Sequence, residues 1–229
     1  HCTHRSTFGK RLILQPLMKN VLADLALEST AATTLAMRLA RGYDEAERDA
    51  SVQAFIRIAT AVSKYYVCKR GPGVGYEAME AHGGNGYVDD MMVARIYREM
   101  PLASIWEGTG NVMCLDVLRA MSREPETVPA LQQELLSARG RNAHYDHYIS
   151  TLAEDLRDTA TLEVRARRVV ERLAIALQAC ALLHGAPDYL ADAFCRARLT
   201  HDAGEEYGTL PHDLPFDQII AYASPEGAV

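Results

Sequence analysis

Between Leu12 and Arg41 the apolar residues Leu14, Leu17, Met18, Val21, Leu22, Leu25, Leu27, Leu35 and Leu39 recur mostly three or four positions apart. That period lays them along one side of an α-helix, with Pro16 suited to the first turn and Gly42 expected to end it. "YDEAERDASVQAFIRIATAVSKYYVCKR", residues 43–70, predicts a second helix. Its acids come early and Lys64, Lys69 and Arg70 come late, as the helix dipole favours. "GPGVG" at 71–75 is expected to stop it, "YEAMEAH" at 76–82 to form a short helix, and Gly83-Gly84-Asn85-Gly86 to turn. "MMVARIYREM", closed by Pro101, and "NVMCLDVLRAM" from Asn111 are helical in period.

"SREPETVPA", residues 122–130, reads as a linker with its two prolines and two glutamates. Beyond it the stretches 131–156, 161–185 and 186–200 again have a helical period. No stretch shows strand alternation at any length, and there is no internal repeat. The prediction is an all-α chain whose glycine clusters sit at helix ends, where free N–H groups and partial positive charge can receive a phosphate or a polar cofactor edge. Neither GxGxxG nor GxxxxGK[ST] follows a strand, so as a phosphate motif the signal is weak.

Composition narrows this picture modestly. With 48% hydrophobic and 24% charged residues over 229 positions, the chain can bury a sizeable core. No run approaches the roughly 18 apolar residues of a membrane span. Five scattered cysteines without a CxxC pair indicate reduced thiols in a cytoplasmic setting, not a disulfide framework or a zinc site. The formal charge of −6 argues against a general nucleic-acid binder. It is unevenly spread, about +1 over residues 1–124 and −7 over 125–229. Arg165, Arg168 and Arg172 form the one basic face of the second half, with Glu163 and Glu171 close by, so a solvated helix face is the alternative to a DNA contact. His144 and His147 lack a third ligand nearby in sequence and read as a surface pair; no metal site is expected. Tyr65, Tyr66, Met91 and Met92 read as helix packing.

The stretch with most chemical content is "WEGTGN", residues 106–111, where Glu107 stands among glycines that can approach a ligand closely or adopt φ > 0. A plain turn with a solvated glutamate is the competing reading.

"HRSTFGKRLILQ" at 4–15, "AMEAHGGNGY" at 78–87 and "YREMPLASIWEGTGNVMCLDVLRAM" at 97–121 resemble, in order and spacing, the C-terminal helical domain of flavin-dependent acyl-CoA dehydrogenases. The wording "YREMP", "IWEGTGN" and "CLDVLRAM" is most similar to the AidB-like, alkylation-response branch. The resemblance implies a partial four-helix bundle over residues 1–124, starting inside its first helix, and a second helical domain over 125–229. It implies a longer protein, assembled as a homotetramer with FAD between domains and subunits, whose substrate is an acyl-CoA. In that scheme Arg5 and Phe8 approach the FAD of a neighbouring subunit, Gly83 and Gly84 let the backbone approach its adenosine part, and Thr109 and Asn111 touch the flavin or its phosphates. Glu107 falls where many members carry the base that removes the acyl α-proton. The family often has glutamine where this chain has Glu80, which exchanges an amide donor for an acceptor-only carboxylate. An alternative within the branch is a flavoprotein that binds duplex DNA with little dehydrogenase activity, and a third is that residues 125–229 serve assembly. With only part of the site in this sequence, the 229 residues alone are expected to hold FAD weakly and to be inactive.

Overall fold

The computed structural model describes residues 1–200 and 202–225. It is all-α apart from one small hairpin, β1 (Ser6–Thr7) and β2 (Lys10–Arg11), followed by a single 3-10 turn. The helices are α1 (Pro16–Glu45), α2 (Ala50–Ala81), α3 (Gly84–Tyr87), α4 (Met92–Ala103), α5 (Gly110–Arg123), α6 (Thr127–Ser137), α7 (Ala143–Asp155), α8 (Ala166–Gly185), α9 (Asp188–Leu199) and α10 (Phe216–Ala223).

Pro16 opens α1 as expected, but Gly42 does not end it. A Cβ there would stand 2.5 Å from Ile56 Cγ2, so Gly42 is a notch that lets α2 lie close. Asp49 caps α2, accepting from the amides of Ser51 (2.8 Å) and Val52 (3.3 Å). The larger correction is that α2 runs straight through "GPGVG" to Ala81, with Pro72 in its interior. An interior proline costs about 3 kcal/mol, yet the flanking glycines serve packing. A Cβ on Gly71 would meet Met100 Sδ at 3.1 Å, and one on Gly75 would meet Met100 Cγ at 3.3 Å and Tyr97 Cα at 3.5 Å. Helix α4 fills that groove. At its start Met91 and Met92 are 40% and 72% exposed, so they are not part of this chain's core, whereas Tyr65 and Tyr66 are buried as expected.

The stretch 122–130 is not an extended linker. Helix α5 continues through Arg123 and α6 starts at Thr127. Pro125 lies in the three-residue break, and Pro129 sits in the first turn of α6, where no intrahelical N–H is lost. Arg57 on α2 fastens this corner, pairing with Asp116 at 2.9 Å and Glu124 at 3.0 Å. Arg38 forks onto Glu134 with two 2.7 Å bonds, tying α1 to α6. Helix α8 is buried along most of its length and packs on α1, α2 and α5, so its core is continuous with theirs.

A buried ionic network closes the other side. Asp24 and Glu28 of α1 lie within 3% of full burial. Arg198 of α9 pairs with both, Arg70 of α2 forks onto Glu28 at 3.1 Å, and Arg70 also donates to the Tyr207 hydroxyl at 2.7 Å. Two acids and two guanidiniums balance. Burial pushes the Tyr66 and Tyr207 hydroxyls well above the usual tyrosine range. Helix α10, which the periodicity of so short a segment did not suggest, lays Ile219 and Ile220 into the core beside α1.

All five cysteines are free, and all but Cys68 are buried. Among the described residues no helix is long and apolar enough to cross a membrane, and no group of three metal-ligating side chains forms.

Candidate active site

Glu107 sits in the turn between α4 and α5. After Ala103 the chain folds back, with the Trp106 amide donating to the Leu102 carbonyl at 3.0 Å. Glu107 then takes φ +53° and Gly108 φ +108°. A left-handed glutamate costs about 1–2 kcal/mol, so something must hold it. Lys64 of α2 does: its Nζ donates to the Trp106 carbonyl at 2.9 Å and also to the Gly108 carbonyl. The glycines have distinct duties. Gly108 has a φ that side chains rarely adopt, and a Cβ there would stand 2.4 Å from Met113 Cε; Gly110 is buried, with Tyr65 Cε2 3.3 Å from where its Cβ would be. The Glu107 side chain itself is exposed.

Thr109 precedes α5 in extended conformation, and its hydroxyl makes no capping bond. The first amides of α5 therefore keep their donors and partial positive charge. Asn111 Oδ1 accepts from Arg167 Nε at 2.8 Å, which leaves the Asn111 amide nitrogen available to a ligand. Below this turn Cys114 is buried, and burial pushes its thiol up to about 11, so it is no thiolate nucleophile at neutral pH.

A second group forms at the C-terminal end of α2. In the hairpin, Phe8 and Gly9 occupy the two turn positions with φ +52° and +75°. Type I′ turns of this kind favour Asn-Gly, and here the first position holds a phenylalanine that is fully exposed. Arg5 and Thr7 line an open groove of about 390 Å³ together with Glu80, Gly83 and Gly84. Gly83 has φ +60° and ψ −146°, a conformation essentially reserved for glycine. A Cβ on Gly83 or Gly84 would meet nothing within 4 Å, so no packing in this chain demands their bareness. Gly86 differs: a Cβ there would lie 2.0 Å from the Met79 carbonyl oxygen, which fixes the turn.

The structure thus brings Arg5, Glu80, Gly83 and Gly84 together, with Phe8 at the tip of the same hairpin. It brings Glu107, Thr109 and Asn111 together separately. Lys64 and Glu80 mark the two places along α2, and 16 residues at 1.5 Å rise separate them by about 24 Å.

Sequence reasoning missed Lys64 and Arg167. In sequence Lys64 reads as a helix-end cation, and no local signal ties it to carbonyls 42 and 44 residues away. The basic face of the second half is largely committed internally. Arg165 donates to the carbonyls of Asp155 and Asp158 and pairs with the Asp158 carboxylate at 3.3 Å. Arg172 pairs with Asp155, bonds the Thr151 hydroxyl at 2.6 Å and lies 4.8 Å above the Tyr148 ring. Arg168 is exposed and, with His144 and His147, lines a polar groove between α7, α8 and α9.

Residues 1–122 match the family model of the acyl-CoA dehydrogenase C-terminal domain. The chain is 37% identical over 204 residues to the AidB protein of Escherichia coli (strain K12), covering 89% of this chain and 37% of that protein. Caenorhabditis elegans ACDH-11, solved in complex with C11-CoA, superposes with a TM-score of 0.78 at 22% identity, over 85% of this chain and 38% of that one. An acyl-CoA dehydrogenase from Bacillus anthracis, solved with FAD, gives a TM-score of 0.62 at 19% identity, over 97% of this chain and 42% of that one. The chain spans between a third and a half of the length of these three proteins.

Proposed function

Since this chain belongs to the acyl-CoA dehydrogenase family, we propose that the full-length protein is an FAD-dependent oxidoreductase that dehydrogenates an acyl-CoA thioester across its α,β bond. The observation that carries this reading is Glu107, an exposed carboxylate held left-handed between Trp106 and Gly108 beside the uncapped N-terminus of α5. Glu107 is the base that takes the acyl α-proton. Bound FAD supplies the acceptor for the β-hydrogen, which leaves as hydride.

The chain's own donors fit that cofactor. The Thr109 hydroxyl and the Asn111 amide are open at the electropositive start of α5, which suits a phosphate or a polar ring edge. Gly83 and Gly84 expose bare backbone, and Arg5 offers a guanidinium to a pyrophosphate. Phe8 is a solvent-facing aromatic at a strained turn, a surface that gains most when another molecule covers it. The two groups stand apart along α2, one at Lys64 and one at Glu80, as they would in a homotetramer in which one subunit completes the cofactor site of another. Residues 1–124 are the family's bundle domain and 125–229 the extension, acting in the cytoplasm, and the 229 residues alone hold FAD weakly. The DNA-binding alternative draws less support, because Arg165 and Arg172 are spent on acids and carbonyls of their own chain.

Titrating the full-length flavoprotein anaerobically with saturated acyl-CoA thioesters tests the proposal. Bleaching of the flavin band is expected with at least one of them, slowed roughly 10²- to 10⁴-fold in Glu107→Gln. No bleaching with any chain length sinks the dehydrogenase reading.

A further inference from the structure

We infer that Lys64 is a positioning residue for Glu107, an inference that rests on the reading of Glu107 as the base. Two consecutive residues, Glu107 at φ +53° and Gly108 at φ +108°, form the left-handed stretch of the turn. The peptide plane entering it carries the Trp106 carbonyl, and the plane leaving it carries the Gly108 carbonyl. Both oxygens converge on one ammonium, the Nζ of Lys64. An ammonium has three donors, and two of them clamp the two planes that bound the Glu107–Gly108 pair.

The clamp is specific in its choice of partner. The Lys64 charge goes to backbone carbonyls at both sides of the acid, so it fixes the direction in which Glu107 leaves the backbone while leaving the carboxylate open. Without it, two carbonyl dipoles would point at the same empty space, and the left-handed glutamate would lose the bonds that offset its strain. The next residue of α2, Tyr65, supports the same turn from below, with its ring 3.3 Å from the Cβ position of Gly110. Helix α2 therefore sets both the start and the end of the stretch 106–110. Lys64 is half-buried, so its stem is already ordered by the helices around it.

The test uses the full-length flavoprotein with Lys64→Met, which keeps the apolar stem and removes the donors, Lys64→Arg, and Glu107→Gln as reference. One readout needs no turnover: hydrogen exchange at the Trp106 and Met113 amides, which flank the turn and are bonded to Leu102 and Thr109. Lys64→Met is expected to speed that exchange roughly 10- to 100-fold, with exchange elsewhere along α2 unchanged. With butyryl-, decanoyl- and palmitoyl-CoA as probes, flavin reduction at saturation should slow roughly 100-fold while KM stays near wild type, and Lys64→Arg should restore most of both. Unchanged exchange at both amides in Lys64→Met overturns the clamp. A rate loss that appears wholly in KM, or that Lys64→Arg does not recover, overturns the positioning role. If Glu107→Gln reduces flavin at the wild-type rate, the base reading falls and takes the catalytic meaning of the clamp with it, whereas a slow Glu107→Gln beside a wild-type Lys64→Met removes the clamp alone.

Discussion

Two places along α2, its middle at Lys64 and its C-terminal end before Gly83, adjoin the same kind of backbone, left-handed residues beside glycines, but the chain treats them in opposite ways. At the Glu107 turn the chain restrains itself: Lys64 bonds both neighbouring carbonyls, Tyr65 packs beneath Gly110, and Arg167 holds Asn111. At the hairpin tip and at Gly83 and Gly84 no side chain of this chain covers the left-handed or bare positions. Phe8 is strained and fully exposed, and a Cβ on either glycine would meet empty space. The Glu107 turn is held within one chain, whereas the Arg5 groove stays open.

That contrast breaks most severely if Glu107 proves dispensable, since the loss of roughly 10²- to 10⁴-fold expected for Glu107→Gln is the largest effect the proposed function makes. Next comes a pair of glycine substitutions. Gly108→Ala should cost about 1–3 kcal/mol of stability, read as a lowered denaturation midpoint, because its φ is +108° and Met113 must move. Gly84→Ala should change stability by under about 0.5 kcal/mol, yet weaken FAD binding about tenfold or more by direct titration of the full-length apoprotein. Equal effects of the two on stability would erase the distinction between the two places. The smallest change is expected from Phe8→Asn. Asparagine accepts the left-handed turn position more easily, so thermal stability should hold or rise slightly, while FAD retention on gel filtration falls.

Much of the fold could be read from period alone. The helical stretches and the all-α character follow from apolar spacing, and the ordered motifs around Arg5, Gly83 and Glu107 pointed to the family. What escaped depended on contacts remote in sequence. Gly42, Gly71 and Gly75 look like helix breakers until Ile56 and Met100 are seen packed against them. Pro72 is tolerated for the same reason, because packing of α4 on α2 outweighs local propensity. The supposed linker at 122–130 tightens into a corner because Arg57 reaches it from α2. Glu107 was legible as a residue, but the lysine that directs it was not, since a lysine on a helix gives no sign of which carbonyls it will meet.

If Glu107 removes the acyl α-proton, hydrogen exchange at the substrate measures that step without requiring net oxidation. The full-length protein, incubated with an acyl-CoA in D₂O, should wash deuterium into the α-carbon, and Glu107→Gln should abolish the incorporation. Deuterium entering at the wild-type rate in Glu107→Gln would contradict the account.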